Sequence, residues 1–403
     1  MNDVSIEQKN NTIIQIVLFG VLTFFLISSV SILHANQNEF INLRFPGLSW
    51  RQLSYFDSLL YISYLIVGIF IGFLADQLGK RKIFVVLGSF GSIIFFFLMT
   101  IAPNYEILLL FRFCQGSFTV MAWQVLMTLV LDLSSDKDRG KFSGVFGIFL
   151  ALAMGLGPMI GGMMANVGVF IPYYIAIGAN LIVLLVSLTL LSEPTHLKRR
   201  PTIKENLTIY REVPQIVIPG LFNFVDRLHM GFITFILPYF IQQVLGGGPE
   251  LRGMVMGIYA LPFIILQYPI GKASDKHGRF KFLIVGSISY GLILSVIGYI
   301  GSFSLGTLII SFLILGIFAG ITGPPSMALV GDIVDEKDTA IGMGFFNFVG
   351  NVGIIMGPVI GGMLIDYTNF IVAFFIAGLM ELISLIICVL FVRKFRKSQK
   401  IQF

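Results

Sequence analysis

The 403 residues are 56% hydrophobic and only 12% charged, with a mean hydropathy of +0.90. A water-soluble domain carries about 25% charged residues because its surface faces water, so a soluble protein is excluded and lipid must cover much of this chain. The net charge of +6 is spread over many short loops rather than gathered on one face, which excludes nucleic acid as the partner, and Cys114 and Cys388 both sit in apolar runs that support no disulfide framework.

Apolar runs of about 20 residues, the length that crosses a bilayer as a helix, predict twelve spans. They lie at 12–34, 53–73, 82–101, 106–131, 141–163, 171–192, 215–241, 251–271, 281–301, 306–330, 340–363 and 369–392. The first run is too long for a signal peptide and no small-residue cleavage site follows it, so it reads as a retained span. Span two opens near Asp57 and ends in Gly72, Asp76 and Gly79, followed by Lys80, Arg81 and Lys82. Glycine takes a tight turn at low cost, and a carboxylate there can meet a helix N-terminus or a neighbouring cation.

Span four carries Arg112, about 8 Å below the outer surface at about 1.5 Å of rise per residue, and Gln115 after it. An arginine facing lipid costs about 2.5–3.5 kcal/mol, so Arg112 should face protein or water, and Asp57 at similar depth is a candidate partner. The span ends at Asp132. Span five contains Gly157, Pro158, Gly161 and Gly162, where proline removes a backbone hydrogen bond and glycine removes bulk, allowing close packing and bending.

The polar stretch 192–213 follows span six and reads as a linker. Span seven then holds Asn223, Asp226, Arg227 and His229, with Asp226 roughly 15 Å deep and near the bilayer midplane. These side chains fan across about 160° of the helix at about 100° per residue; part of the fan should face a cavity and part a neighbouring helix. Ionisable groups at this depth are costly and usually mark a pathway for substrate or protons; an interhelical polar clamp is the alternative. Glu381, in the last span, reads as having a local partner.

The second half repeats the first. Gly271, Asp275, Gly278 and Arg279 follow span eight at an offset of 199 from their counterparts, Asp332 follows Asp132 by 200, and Gly357, Pro358, Gly361 and Gly362 follow the span-five motif by 200. Arg112 has no such copy: Ser311 stands at its place. Two halves with the same order of motifs imply a duplicated transporter fold. The expected architecture is an all-α membrane protein of twelve transmembrane helices in two pseudo-symmetric six-helix bundles. Residues 1–192 form the first bundle, 193–213 a cytoplasmic linker, 214–392 the second bundle and 393–403 a basic tail. With the N-terminus inside, 22 of the 27 Lys and Arg fall on the cytoplasmic side and only Arg44, Arg51 and Arg252 outside, which places both termini in the cytoplasm.

These motifs resemble the major facilitator superfamily along nearly the whole chain. The resemblance implies a cytoplasmic gate network of Gly72, Asp76, Gly79, Lys80 or Arg81, and Asp132. A pseudo-equivalent network would comprise Gly271, Asp275, Gly278, Arg279 and Asp332. The Gly-Pro motif of span five is associated in that family with drug–proton antiporters, although Ala153 stands where a further glycine would precede it, while Gly353 supplies that glycine in span eleven.

The sequence holds no ATP-binding loop, no metal-ligand cluster and no nucleophilic constellation, so the expectation is a carrier without cofactor or metal, not an enzyme, that draws on a gradient. The leading function is proton-coupled export of small hydrophobic compounds. Uptake or exchange of an anionic metabolite is the second, favoured by Arg112 and Arg227, and a lipid-moving or transport-inactive relative the third. The absence of an acidic residue from span one departs from many multidrug antiporters. The partners expected are a small-molecule substrate, protons and lipids, in a monomer of the cell membrane.

Overall fold

The computed structural model describes residues 2–134, 138–193, 203–335 and 338–397. Lys137, Lys337, residues 194–202 of the expected linker and residues 398–403 of the expected tail lie outside that set. The described residues form fourteen α-helices and no strand. In chain order they are α1 (Asn2–Ser31), α2 (Gln37–Arg44), α3 (Trp50–Leu78), α4 (Lys82–Thr100), α5 (Tyr105–Leu133), α6 (Arg139–Ala165) and α7 (Ile171–Leu190). Then follow α8 (Ile203–Glu212), α9 (Val217–Leu245), α10 (Pro249–His277), α11 (Arg279–Ile300), α12 (Leu305–Ile333), α13 (Thr339–Tyr367) and α14 (Phe370–Lys397).

Twelve of them, all but α2 and α8, are long and apolar enough to cross a membrane, and their apolar stretches coincide with the runs read from the sequence. The ends differ by a few residues because caps set them, not hydropathy. The Asn104 side chain accepts from the Ile107 N–H at 2.9 Å and starts α5, and Ser304 with Thr307 forms a capping box on α12. Gly79 (φ 63°) and Gly278 (φ 91°) occupy the left-handed region in the turns after α3 and α10, where a side chain would be strained.

The helices outside the spans were not visible as apolar runs. Helix α2 buries Phe40, whose ring lies 4.3 Å from that of Tyr173, and Arg44 at its end donates to the carbonyls of Thr100 and Ala102. Helix α8 lies within the expected linker and buries Ile209 in a cluster with Ile216, Val330, Val334 and Phe346.

Contacts divide the chain into two compact units: Met1–Pro46 with Ile62–Arg199, and Gly47–Tyr61 with Arg200–Phe403. In the first, α1 packs on α6, and α4 on α5 and α7. In the second, α9 packs on α13, and α11 on α12 and α14, the same pairings one repeat later. The first unit has a core of Phe19, Leu26, Val125, Leu129 and Phe146, among others, and the second a smaller one around Phe222, Leu283, Leu329 and Leu385.

Glycines permit the closest approaches. A methyl group at Gly157 would overlap the Ser31 hydroxyl and one at Gly161 the Ile32 carbonyl, so α6 rides directly on the end of α1. Gly353 and Gly357 bring α13 equally close to the backbone of α9 at Phe224 and Leu228. In the same unit, the backbone N–H groups of Trp50 and Arg51 donate to the two carboxylate oxygens of Asp366 at 2.9 and 3.1 Å. The carboxylate thereby satisfies donors that the start of α3 leaves open.

Candidate functional site

The middle of α9 holds the ionisable residues singled out in the sequence, and α9 divides them between its neighbours. Asn223 is buried and its amide donates to the Phe346 carbonyl of α13 at 2.7 Å. One turn on, the stem of Arg227 passes over Gly350 of α13, where an added methyl would sit 3.2 Å from its Cγ. Asn223 thus clamps two helices together, and a side chain at position 350 would dislodge it. Asp226 and Arg227 are both half-buried, and neither side chain makes a hydrogen bond or ion pair among the described residues. They are the open part of the fan.

His229 is fully buried on another face. Its Nε2 lies 2.9 Å from the Ala377 carbonyl oxygen of α14, and its Nδ1 lies 3.4 Å from Oε2 of Glu381, one turn further along that helix. The Tyr290 ring of α11 stacks on the imidazole, with centroids 5.4 Å apart and planes at 29°. The Tyr290 hydroxyl meets that of Tyr259, on α10, at 3.5 Å. Helices α9, α10, α11 and α14 therefore converge on one polar cluster. Tyr259 and Tyr290 were not among the sequence-derived candidates, and Glu381 was expected to have a partner without that partner being named: a lone glutamate in an apolar run and two tyrosines carry no spacing that links them to a histidine far away in the chain.

In the first unit Arg112 is fully buried in α5. Its Nη1 donates to Gln115 Oε1 at 2.9 Å, Gln115 Nε2 donates to Thr119 Oγ1 at 2.8 Å, and Thr119 shares a 3.0 Å hydrogen bond with Ser92 of α4. This ladder runs along α5 toward its Asp132 end and holds the guanidinium. His34, in the turn between α1 and α2, is buried; burial and the Arg112 charge push its pKa down to about 3. Asp57 is fully buried within the second unit.

At the other end of the helices, Arg81 Nε donates to Asp132 Oδ2 at 3.2 Å, with both side chains 1% exposed. The turn is closed by Glu193, whose two carboxylate oxygens accept from the backbone N–H groups of Arg81 and Lys82 at 2.6 and 3.0 Å. Glu193 occupies the N-terminus of α4 as an anion should, a role that no motif announced. Lys80 is exposed, and the side chain of Asp76 lies outside the described residues. The second repeat gathers the same types of residue: Arg279 donates from Nη1 to Asp275 at 2.5 Å, from Nη2 to Asp332 at 3.2 Å, and also from Nε to Asp332. Here the side chains are 17%, 62% and 48% exposed. The Gly-Pro segments lie inside α6 and α13, which continue through Pro158 and Pro358 without ending, with Gly162 and Gly362 buried like Gly161 and Gly361.

Twelve membrane-length helices in two repeated units, each unit with buried or half-buried ionisable side chains within its helices and a charge cluster at a turn between two of them, fit a carrier. The chain belongs to the Major Facilitator Superfamily, whose family model matches residues 12–225 and again 219–403; it is a secondary transporter of small molecules, not an enzyme. Among its relatives, the bacillibactin exporter of Bacillus subtilis is 25% identical over 82% of this chain and 84% of that protein. The quinolone resistance protein NorA of Staphylococcus aureus is 23% identical over 81% and 84%. An uncharacterized MFS-type transporter of Methanocaldococcus jannaschii is 28% identical, over only 41% of this chain and 42% of that protein. Among solved structures, a D-xylose–proton symporter shares the fold with a TM-score of 0.79 at 15% identity, covering 93% of this chain and 97% of that one.

Proposed function

We propose that the protein exports small hydrophobic compounds in exchange for protons, by alternating access. The observation that carries this reading is the half-buried pair Asp226 and Arg227, midway along α9 and bonded to no other described side chain. A carboxylate held at this depth without a fixed partner is free to exchange a proton as its surroundings change, and ionisable groups in such places usually serve a pathway. Export is supported by the Gly157–Gly162 motif in α6 and by two relatives named for export and for drug resistance. The charge clusters at Arg81–Asp132 and at Arg279–Asp275–Asp332 serve as the cytoplasmic gate, together with Asp76. The carrier acts as a monomer in the cell membrane, with its two bundles divided at the linker and both termini inside.

Exchange or uptake of an anion is the second reading, favoured by the fully buried Arg112, which offers a fixed cation to a substrate carboxylate or phosphate.

Everted membrane vesicles carrying the protein, energised with a pH gradient and offered ethidium, decide between them. The expected result is gradient-driven ethidium accumulation in the wild type. Asp226→Asn should fall to the level of an ungradiented control while retaining downhill exchange. Wild-type accumulation by a well-folded Asp226→Asn protein would remove Asp226 from coupling. Transport of an organic anion in place of ethidium would select the second reading.

A further inference from the structure

His229 and Glu381 carry a constraint independent of Asp226. A carbonyl oxygen only accepts hydrogen bonds, so the 2.9 Å contact with Ala377 requires the proton on Nε2 of His229. A neutral imidazole has one N–H, and with that proton committed to Ala377, Nδ1 points a lone pair at the Glu381 carboxylate 3.4 Å away. Two lone pairs facing one another in a buried site repel. One proton placed between them converts the repulsion into a charge-assisted hydrogen bond, whether written as imidazolium with carboxylate or as imidazole with carboxylic acid.

The surroundings favour the same state. The titratable groups facing the pair are Asp226 on α9, Tyr259 on α10, Tyr290 on α11 and Cys388 on α14, with Arg227 acting on Asp226. Tyrosine and cysteine carry no charge in the ordinary range of pH, and Arg227 is offset whenever Asp226 is ionised. In that state the His229–Glu381 pair without its proton leaves one uncompensated negative charge in mid-span, and the proton makes the cluster neutral, as a lipid-covered interior demands. The stacked face of Tyr290 adds an electron-rich surface to the imidazolium form.

We infer that His229 and Glu381 form a single-proton site, built between α9 and α14 and separate from Asp226. The proton is bound on the line from Nδ1 to Oε2. When the two helices part it leaves to water, with neutral imidazole and carboxylate remaining. The part this site plays in coupling rests on the proton-driven reading above; the binding of the proton does not.

The test needs no substrate. The chain has four histidines, so protein labelled with ¹⁵N-histidine and reconstituted in lipid nanodiscs gives a resolvable imidazole spectrum, with His229 identified by its loss in His229→Gln. The expected spectrum shows Nε2 protonated at every pH and Nδ1 changing in one titration step. That step should persist in Asp226→Asn. In Glu381→Gln it should vanish or move by at least about tenfold in proton concentration, one pH unit. If Glu381→Gln does not fold, Glu381→Asp, which keeps the charge but withdraws it by one methylene, should displace the same step. A Nδ1 signal that is constant over the range where the protein stays folded, or a step indifferent to both Glu381 variants, overturns the site.

Proteoliposomes with ethidium and an imposed pH gradient then separate site from coupling. A Glu381→Gln protein that has lost the step yet accumulates ethidium like the wild type overturns the pair's role in coupling and leaves the Asp226 reading intact. A wild type that shows the step without proton-linked transport overturns the coupling reading and leaves the proton site standing.

Discussion

Arg81 and Arg279 lie in the corresponding turns of the two repeats, Arg279 at the position of Lys80, and each meets the aspartate near the end of a helix further on, yet their surroundings differ. Arg81 and Asp132 are 1% exposed, whereas Asp275 and Asp332 are about half in solvent. Removing one member of a buried ion pair strands the other and costs about 3–5 kcal/mol, while an exposed pair contributes about 0–1 kcal/mol. Arg81→Ala should therefore lower the thermal unfolding temperature of the purified protein well below that of Arg279→Ala. Equal losses in the two variants would contradict this account. The sequence announced the residue types of both clusters, because a turn between two spans leaves a characteristic trace of glycine, carboxylate and cation. It did not announce Glu193, whose carboxylate is brought to the Arg81 turn only by the folding of the four intervening helices, α4 to α7. The partner of Glu381 was hidden for the same reason: it is defined by the packing of α14 on α9 and by nothing in the neighbouring sequence.

Whole helices were easier to read than sites. A span buried in lipid is selected for its own apolar character, so composition alone marks it, whatever it packs against. Helices α2 and α8 are short and polar and are held by tertiary contacts such as Phe40 on Tyr173 and Ile209 on Val330, which hydropathy cannot see. The glycine motifs fall between these cases: their positions were legible and their neighbours were not. Within α6 they make opposite predictions. Gly161→Val forces a side chain into the Ile32 carbonyl and should destabilise by about 1–3 kcal/mol or more. Gly144 has no atom within 4 Å of an added methyl, so Gly144→Ala should be neutral or stabilise by up to about 1 kcal/mol through helix propensity. Thermal unfolding of the two variants checks both signs, and a destabilising Gly144→Ala would show that the open space is used. The same logic places Gly357 of α13 with Gly161.

At the scale of the molecule, duplication and charge asymmetry were the most legible features of all, since each is summed over hundreds of residues. The family model that matches the chain twice, at 12–225 and 219–403, follows the same repeat as the motif offsets. Orientation rests on the cation distribution and makes a direct prediction. In a background lacking Cys114 and Cys388, Tyr210→Cys on α8 should be shielded from an impermeant thiol reagent in intact cells, and Val167→Cys in the turn between α6 and α7 should react. Labelling of position 210 from outside would invert the topology. The unequal burial of the two charge clusters has a further consequence on the cytoplasmic side so assigned. Mobile ions screen exposed charges over about 8 Å at physiological ionic strength and leave buried pairs almost untouched. Rising ionic strength around the clusters thus loosens the Arg279 cluster while the Arg81 cluster holds. One motif, present once in each half, gives the carrier a salt-responsive repeat and a salt-indifferent one.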